Sequence, residues 1–346
     1  MKEFQRLKSI DALRGLAVIL MIQQHLGVWF TFNIYETKIM LAFNALGGLA
    51  APIFITLAGV GSILINLKHK NNNKLLMKRG FLIILLGYLL NLLTPSWFSP
   101  GSWYVLHLIG FCLLLSPFLK KIPIKGLFLF LALVLFATIV IQDFLKTPPS
   151  LSNNYMKSLN HPGGIFRLAL AEGQFPLFPW LAFFLSGLIA GKFIISKKIK
   201  TIAIMGGAFL LLALTLSLFD KIFNLKGISF RFCHLTPHFY PALTPITLIL
   251  ISSSLFILAF FLYLETKEKK IFPKALVSTG RLSISFLFLH VPIFRESALF
   301  FNFWQKMPSL LSSVIICLLL ALFIKGALFW GKKSYKYSLE WIIRKI

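Results

Sequence analysis

The sequence predicts an all-α fold, a polytopic membrane helix bundle of about ten transmembrane helices. Of its 346 residues, 58% are hydrophobic and only 13% are charged, and the mean hydropathy is +0.82. A water-soluble domain of this size could not bury so much apolar surface. The apolar stretches also recur along the whole chain, at lengths near the roughly 17–25 residues that a helix needs to cross a bilayer.

Ten such stretches follow one another along the chain. They cover residues 11–30, 47–66, 80–95, 103–118, 124–142, 176–195, 201–219, 242–264, 276–294 and 308–330. No Pro-, Gly- or Ser-rich linker separates soluble domains, so we expect a single transmembrane domain over residues 1–346. Because Asp11, Arg14 and His25 interrupt the first stretch, we expect a retained helix there rather than a cleaved signal peptide.

The net charge of +26 follows the predicted topology. Lys and Arg gather at the N-terminus, in every second connection and in the C-terminal tail, whereas the other connections hold few of them. This positive-inside pattern predicts that both termini are cytoplasmic. The same cations favour contact with anionic membrane lipid, and no basic soluble domain remains that could bind nucleic acid.

Two ionisable residues share the first predicted helix. Arg14 and His25 are eleven positions apart, which at about 100° and 1.5 Å per residue places them on one face, about 16 Å apart. Ionisable groups at membrane depth usually face a cavity and mark a functional path. A neutral imidazole at His25 could act as a general base or accept an acyl group itself. For Arg14 the structural alternative is an ion pair with Asp11.

Further candidates lie at predicted helix ends. His107, His290 and Trp103 fall on the outer side, where they could contact an acceptor, with interfacial placement as the alternative. Trp29 lies at the same level, and an interfacial anchor is the favoured interpretation for it. On the cytoplasmic side, the basic residues could bind phosphates or simply anchor the helices. They are Lys78, Arg79 and Arg281.

The placement of the acidic and histidine residues argues against other classes of site. Asp11 is the only carboxylate near the core of a predicted span, whereas ion-coupled transporters usually carry one near the midplane. Paired-carboxylate hydrolysis lacks its second acid. His161, His234 and His238 are the candidate metal ligands, but prolines beside the last two argue against a helix that would hold a metal, so no metal site is predicted.

Five segments resemble, in order, the heparan-α-glucosaminide N-acetyltransferase catalytic-domain family. They are RLKSIDALRGLAVILMIQQH (6–25), APIFITLAGVGSIL (51–64), YVLHLIGFCLLLSP (104–117), FPLFPWLAFFLSGLIAGK (175–192) and GRLSISFLFLH (280–290). The spacing of Arg14 and His25 also resembles that of the related acyltransferase-3 membrane family. By position, these two residues match the family's arginine and its histidine on the first helix.

The resemblance implies a membrane-embedded acyltransferase that moves an acyl group from cytoplasmic acyl-CoA to a glycan on the far side. The implied donor is acetyl-CoA or another acyl-CoA, and the acceptor is a hydroxyl or amine of an envelope saccharide or glycolipid. In the family's lysosomal sugar N-acetyltransferase the catalytic histidine lies in the first non-cytoplasmic loop. Residues 31–50 contain no histidine, so this chain departs from the family's pattern and His25 takes the role by elimination. Arg14, Lys78, Arg79 and Arg281 are the candidate donor-side residues because they fall at predicted cytoplasmic helix ends.

The expected location is a bacterial inner membrane, and the sequence leaves open whether the protein forms a homo-oligomer. Two other classes stay open at this point. A transporter or flippase for a lipid or glycan could use the same polar residues without acyl transfer. An inactive scaffold would carry them without any chemistry.

Overall fold

The computed structural model describes residues 6–34, 37–65, 72–267 and 271–345, and the regular elements in these ranges are helices. In chain order they are α1 (Lys8–Phe30), α2 (Lys38–Gly47), α3 (Ala50–Leu64), α4 (Asn73–Leu93), α5 (Val105–Leu119), α6 (Ile124–Phe144), α7 (Asn153–Lys157), α8 (Gly164–Arg167), α9 (Leu177–Ile195), α10 (Ile199–Phe223), α11 (Gly227–Cys233), α12 (Thr244–Lys267), α13 (Lys274–Gly280), α14 (Ser283–His290), α15 (Ser297–Phe300), α16 (Ser309–Lys332) and α17 (Leu339–Lys345). Two π-helical turns, Leu168–Glu172 and Val291–Glu296, continue α8 and α14.

Within the described ranges, nine helical segments are long and apolar enough to cross a membrane. The apolar helix α5, at 15 residues, is shorter than these. The predicted all-α, multi-pass membrane fold of about ten helices is therefore confirmed. The cytoplasmic position of the termini and the single transmembrane domain stay predictions.

Two of the predicted stretches have different bounds in the structure. The stretch 47–66 begins earlier, because α2 and α3 together form the span Lys38–Leu64. The stretch 276–294 is divided, since α13 ends at Gly280 and the following span runs over Ser283–Phe300. Hydropathy ended this span one residue before Arg295, whereas the helical backbone continues past it as a π-helical turn.

The chain forms two compact units, residues 1–54 with 260–346 and residues 55–259. In the first unit, α1 packs against α13, and two glycines determine how closely. A Cβ atom at Gly15 would overlap the carbonyl oxygen of Leu276, and one at Gly280 would overlap that of Asp11. Small residues allow this close approach of membrane helices. It brings Arg281, the residue after Gly280, to the carboxylate of Asp11.

Each helix that carries a candidate histidine in this unit is capped by a carboxylate from another helix. Glu265 accepts hydrogen bonds from the backbone N–H groups of Lys8 and Ser9, at 2.7 and 3.2 Å. Glu340 accepts from two backbone N–H groups at the start of α14, at 2.6 and 3.0 Å, and from the Ser285 hydroxyl at 2.6 Å. A carboxylate at a helix N-terminus satisfies free N–H groups and complements the helix dipole. These contacts hold the starts of α1 and α14.

In the 55–259 unit, α9 packs against α5, α6 and α10. Its span is the most buried of those that the described residues form. Helices α4 and α5 approach each other at Gly80 and Gly110, where a Cβ on either glycine would crowd the facing backbone. These packed helices form the core of the unit.

A buried ion pair fastens the connection between α6 and α9 in the same unit. Glu172 is fully buried and accepts hydrogen bonds from Thr147 Oγ1 at 2.7 Å, Tyr155 OH at 3.1 Å and Arg167 Nε and Nη2 at 2.5 and 3.0 Å. Burial alone would raise the pKa of Glu172, but hydrogen bonds from Arg167 and Thr147 outweigh it, so the pKa lies below its ordinary value. The ionised carboxylate is therefore the form that the fold stabilises.

Candidate active site

His25 of α1 and His290 of α14 are joined by a hydrogen bond. Nδ1 of His25 lies 2.8 Å from Nε2 of His290, and Nδ1 of His290 lies 2.7 Å from the carbonyl oxygen of Phe286. The two imidazole rings are nearly parallel, with an interplanar angle of 15° and centroids 5.1 Å apart. His290 is fully buried, whereas His25 is partly exposed. His25 is thus the more accessible partner of the pair.

These contacts assign the tautomer of each neutral ring. A carbonyl oxygen can only accept, so Nδ1 of His290 carries a proton and its Nε2 carries a lone pair. Nδ1 of His25 must then donate to that Nε2, which leaves the lone pair of neutral His25 on its own Nε2. The chain from His25 through His290 to the Phe286 carbonyl is therefore directional, and its basic nitrogen is Nε2 of His25.

The position of His290 depends on the irregular helix that follows it. Pro292 has no N–H group, and in a regular α-helix its ring would clash with the carbonyl of Phe288. The helix is instead a π-helical turn over Val291–Glu296, and such turns often occur at functional sites. Up to His290 the helix stays α-helical, which directs the imidazole back over the preceding turn and onto the Phe286 carbonyl.

Trp29 and Arg295 complete the surroundings of the histidine pair. The Trp29 ring stacks on His25, with centroids 5.2 Å apart, and on His290, with centroids 6.0 Å apart. The Arg295 guanidinium lies over Trp29 at 5.9 Å and over Trp304 at 4.5 Å from the ring centroids. Arg295 is only 8% exposed. The cation is thereby placed over the Trp29 ring that stacks on both imidazoles.

The segment after α15 stabilises the end of α1 that carries Trp29. Gln305 and Met307 donate backbone N–H groups to the carbonyl oxygens of Trp29 and Phe30, at 2.8 and 2.9 Å. The last carbonyls of a helix have no partner within it, so this pairing satisfies two of them. It also places Trp304 beside the site.

A second cluster of charged residues lies near the other end of α1. Asp11 is buried and accepts two hydrogen bonds from Arg6, at 2.6 and 2.8 Å. Arg14 lies 3.6 Å and Arg281 3.3 Å from the same carboxylate. The ion pair that was the structural alternative for Arg14 is therefore present. Because three cations surround one carboxylate, the cluster keeps an excess of positive charge that an anionic ligand could use.

Both clusters are carried by one continuous helix. α1 runs without a break over Lys8–Phe30, so Arg14 and His25 lie on the same helix, as predicted. Eleven residues of α-helix separate them by about 16 Å along the axis.

A family model described as heparan-α-glucosaminide N-acetyltransferase, catalytic, matches residues 6–219, which is more than half of the chain. The chain belongs to this family. Membership implies a membrane acetyltransferase. A search of curated proteins gave no match. The matched region includes Arg14 and His25 and ends before Arg281 and His290; the likeness to the acyltransferase-3 family stays a resemblance.

The other predicted site residues lie in the 55–259 unit. Lys78, which is exposed, and Arg79, which is partly exposed, belong to α4. Trp103 and His107 stack at the start of α5, with ring centroids 5.5 Å apart. His107 is fully buried, its Nδ1 accepts the backbone N–H of Tyr104 at 3.3 Å, and its Nε2 has no hydrogen-bond partner in the part of the chain that is described. The donor role of Lys78 and Arg79 and the acceptor role of Trp103 and His107 stay predictions.

Two of the three candidate metal ligands contact other side chains. Nδ1 of His234 lies 2.9 Å from a carboxylate oxygen of Asp220, and the ring of His161 packs on Tyr155 with centroids 4.1 Å apart. His238 is exposed. Over the described ranges, no group of three or more His, Cys, Asp and Glu residues is arranged to hold a metal ion.

Arg295 and Trp304 were not predicted as site residues, and the interpretation of Trp29 as an interfacial anchor was wrong, because its side chain is 2% exposed. Trp29 follows His25 by four positions, the spacing of neighbours on an α-helix. The sequence alone could therefore have placed Trp29 beside His25. Arg295 follows His290 by five positions, which is the hydrogen-bonding step of a π-helix and not of an α-helix.

Proposed function

We propose that this protein is an acyl-CoA-dependent acyltransferase of the cell envelope. It moves an acyl group, with acetyl as the family's example, from cytoplasmic acyl-CoA to a hydroxyl or amine of an extracytoplasmic saccharide or glycolipid. The observation that carries the proposal is the directional His25–His290 pair, in a chain that belongs to an acetyltransferase family. A bacterial inner membrane with both termini in the cytoplasm is part of the proposal.

In the first route, Nε2 of His25 acts as a general base. It takes the proton of the acceptor hydroxyl or amine while the oxygen or nitrogen attacks the thioester carbonyl carbon. The tetrahedral intermediate then collapses with cleavage of the carbon–sulfur bond, and the CoA sulfur takes the proton back from His25. His290 accepts the Nδ1 hydrogen bond of His25 and so stabilises the imidazolium that forms. General base catalysis typically contributes about 10²–10⁴-fold.

A second route uses the same nitrogen as a nucleophile. Nε2 of His25 attacks the thioester carbonyl carbon, the carbon–sulfur bond breaks and CoA leaves as a thiolate. The acceptor oxygen or nitrogen then attacks the acyl-imidazole carbonyl, the carbon–nitrogen bond to Nε2 breaks, and the acceptor's proton passes to the CoA thiolate. Both routes require the lone pair on Nε2 of His25. Acid trapping of labelled protein in the absence of acceptor separates them, because only the second route leaves label on the chain.

The donor side of the proposal rests on cations. The Asp11 cluster keeps an excess of positive charge, and Arg14 and Arg281 would bind phosphate groups of acyl-CoA. Lys78 and Arg79 are assigned to the same role by their predicted cytoplasmic position. The pantetheine arm of acyl-CoA is long enough for the roughly 16 Å between Arg14 and His25. His107 and Trp103 are the proposed residues that contact the acceptor, and His290 belongs to the acceptor side through its hydrogen bond with His25.

The test is acceptor-dependent release of CoA. Purified protein is incubated with labelled acetyl-CoA and extracted envelope glycans, and both free CoA and labelled glycan are measured. We expect the wild type to produce both and His25→Ala to lose at least about 10²-fold of the rate. His238→Ala is the matched control, because it removes an exposed histidine that has no assigned role in the reaction. Transfer that survives in His25→Ala contradicts the mechanism, and no CoA release from the wild type favours a transporter or flippase.

A further inference from the structure

An open cavity of about 690 Å³ lies between α13 and α16 in the unit formed by residues 1–54 and 260–346. Its lining is strongly basic and contains no acidic residue. The cations are Lys8, Lys274, Arg281, Lys325 and Lys332. Aromatic rings of Phe272, Phe329 and Tyr335 form much of the remaining wall. The volume lies in the range of small-molecule sites.

The two helices contribute their residues with the same spacing. The α13 side presents Lys274, Val277, Ser278 and Arg281, and the α16 side presents Lys325, Leu328, Phe329 and Lys332. Each set follows the steps i, i+3, i+4 and i+7 of one helix face. Each row therefore has a cation at each end, about 10.5 Å apart along the helix axis, with Arg281 directly after the last residue of α13. Two rows of positive charge face one space.

Lys325 is the member that the sequence explains least. It lies about two turns inside the end of an apolar span, where ionisable residues are costly and usually functional. The structural alternative is snorkelling of the long side chain toward the membrane surface. Lys332, seven positions further on and at the end of α16, lies on the same helix face.

Counter-ions for this charge are scarce. Arg281 pairs with Asp11, but over the described ranges no carboxylate forms an ion pair with the side chains of Lys8, Lys274, Lys325 or Lys332. A cavity that gathers cations without neutralising them favours an anionic ligand.

We propose that this cavity binds a ligand that carries two or more phosphate groups, held between the two rows of cations. Charge-assisted hydrogen bonds from Lys and Arg are the usual means of holding phosphate, and the aromatic wall suits an organic group attached to it. Two sources share this chemistry: a soluble nucleotide thiol such as CoA, and a membrane lipid whose headgroup holds two phosphates. If the ligand is CoA, its role as the acyl donor rests on the proposed function. In that case Arg281, which lines the cavity and pairs with Asp11, connects the cavity to the Asp11 cluster.

The experiment measures binding without turnover, so that it is independent of acyl transfer. In one arm, the dissociation constant of CoA is measured by calorimetry with the protein in nanodiscs of neutral phosphatidylcholine. In the other arm, retention of diphosphatidylglycerol through purification is measured by native mass spectrometry. Both arms are repeated on His25→Ala, which retains the cavity. If that protein binds and the wild type transfers no acyl group, the proposed function fails while this inference stands.

The decisive variant is Lys274→Gln/Lys325→Gln, which removes one cation from each row. The control is Lys198→Gln/Lys200→Gln, which removes the same charge from exposed positions of the other unit. We expect at least tenfold weaker binding of CoA, of the lipid or of both in the first variant, and a change within threefold in the control. If only CoA binding or only lipid retention is weakened, the weakened one identifies the ligand of the cavity. If both are weakened, both molecules use the same cavity.

Equal binding by variant and control in both arms overturns the proposal. If Lys274→Gln/Lys325→Gln does not fold, Lys274→Gln/Lys332→Gln removes the cations nearest the helix ends and carries the same expectation. Size-exclusion chromatography decides between the two variants, because a folded variant should elute as a single monodisperse peak.

Discussion

Nδ1 of His25 lies 2.8 Å from Nε2 of His290, although 265 positions separate the two residues in the chain. The contact makes His290 the acceptor and leaves the basic lone pair of His25 on its other nitrogen. His290 is therefore a positioning residue in the proposed reaction. Its removal should affect the rate more than the binding of the donor.

We expect His290→Ala to lower kcat by about 10²-fold and to change the KM for acyl-CoA by less than threefold. His290→Gln supplies an oxygen that can accept the Nδ1 hydrogen bond of His25, so it should retain about ten times the activity of His290→Ala. Steady-state kinetics on the three proteins measures both effects. A kcat for His290→Ala within threefold of the wild type contradicts the positioning role.

Arg295 should depend on its planar guanidinium and not only on its charge, because it lies 4.5 Å from the centroid of the Trp304 ring. Lys keeps the charge but cannot stack in this way. We expect Arg295→Lys to lower kcat about tenfold, the equivalent of about 1.4 kcal/mol. Trp304→Phe keeps a ring face and serves as the control, with a change within threefold. Full activity of Arg295→Lys would show that charge alone suffices.

Arg14→Ala should raise the KM for acyl-CoA about tenfold, because it removes a cation proposed to contact the donor phosphates. The control is Arg6→Gln, which breaks the shortest ion pair of Asp11 at a residue with no assigned donor role. If Arg14 acts only through Asp11, both variants change KM alike. An unchanged KM in Arg14→Ala assigns this residue to the ion pair alone.

Gly15→Ala should destabilise the unit that contains α1 and α13. The added Cβ would overlap the carbonyl oxygen of Leu276, and such overpacking costs about 1–3 kcal/mol. Gly326→Ala is the matched control on α16, where nothing lies within 4 Å of the added Cβ; Ala in place of Gly inside a helix should be neutral or stabilising. Thermal unfolding in detergent measures both, and equal midpoints contradict the close approach of the helices.

Glu172→Gln should lower the free energy of unfolding by about 3 kcal/mol at pH 7, because it leaves Arg167 without its buried partner. The pKa of Glu172 is depressed in the native state below its ordinary 4.5. Its contribution is therefore complete above about pH 4.5 and is lost as the pH falls through the native-state pKa. We expect the difference between wild type and variant to shrink over that acidic range. Lys146→Gln, an exposed member of an ion pair, should change stability by less than about 0.5 kcal/mol.

The predictability of the site differs from residue to residue. His25 and Arg14 could be singled out because each interrupts an apolar helix, and the structure carries both on α1. His290 could be named as a candidate, but nothing in its own neighbourhood indicated its partner. Arg295 was missed because hydropathy ends a span at the first charged pair, whereas the backbone widens into a π-helical turn and continues.

The sequence by itself determined the membrane class, the approximate helices and the family, because the length and periodicity of apolar runs are local properties that a bilayer selects. It also determined that Arg14 and His25 share one helix. Only the tertiary structure decided that His25 contacts His290, that three arginines surround Asp11 and that two rows of cations line one cavity. These relationships depend on how closely helices from distant parts of the chain approach, at glycines such as Gly15 and Gly280, and a one-dimensional pattern does not contain that information.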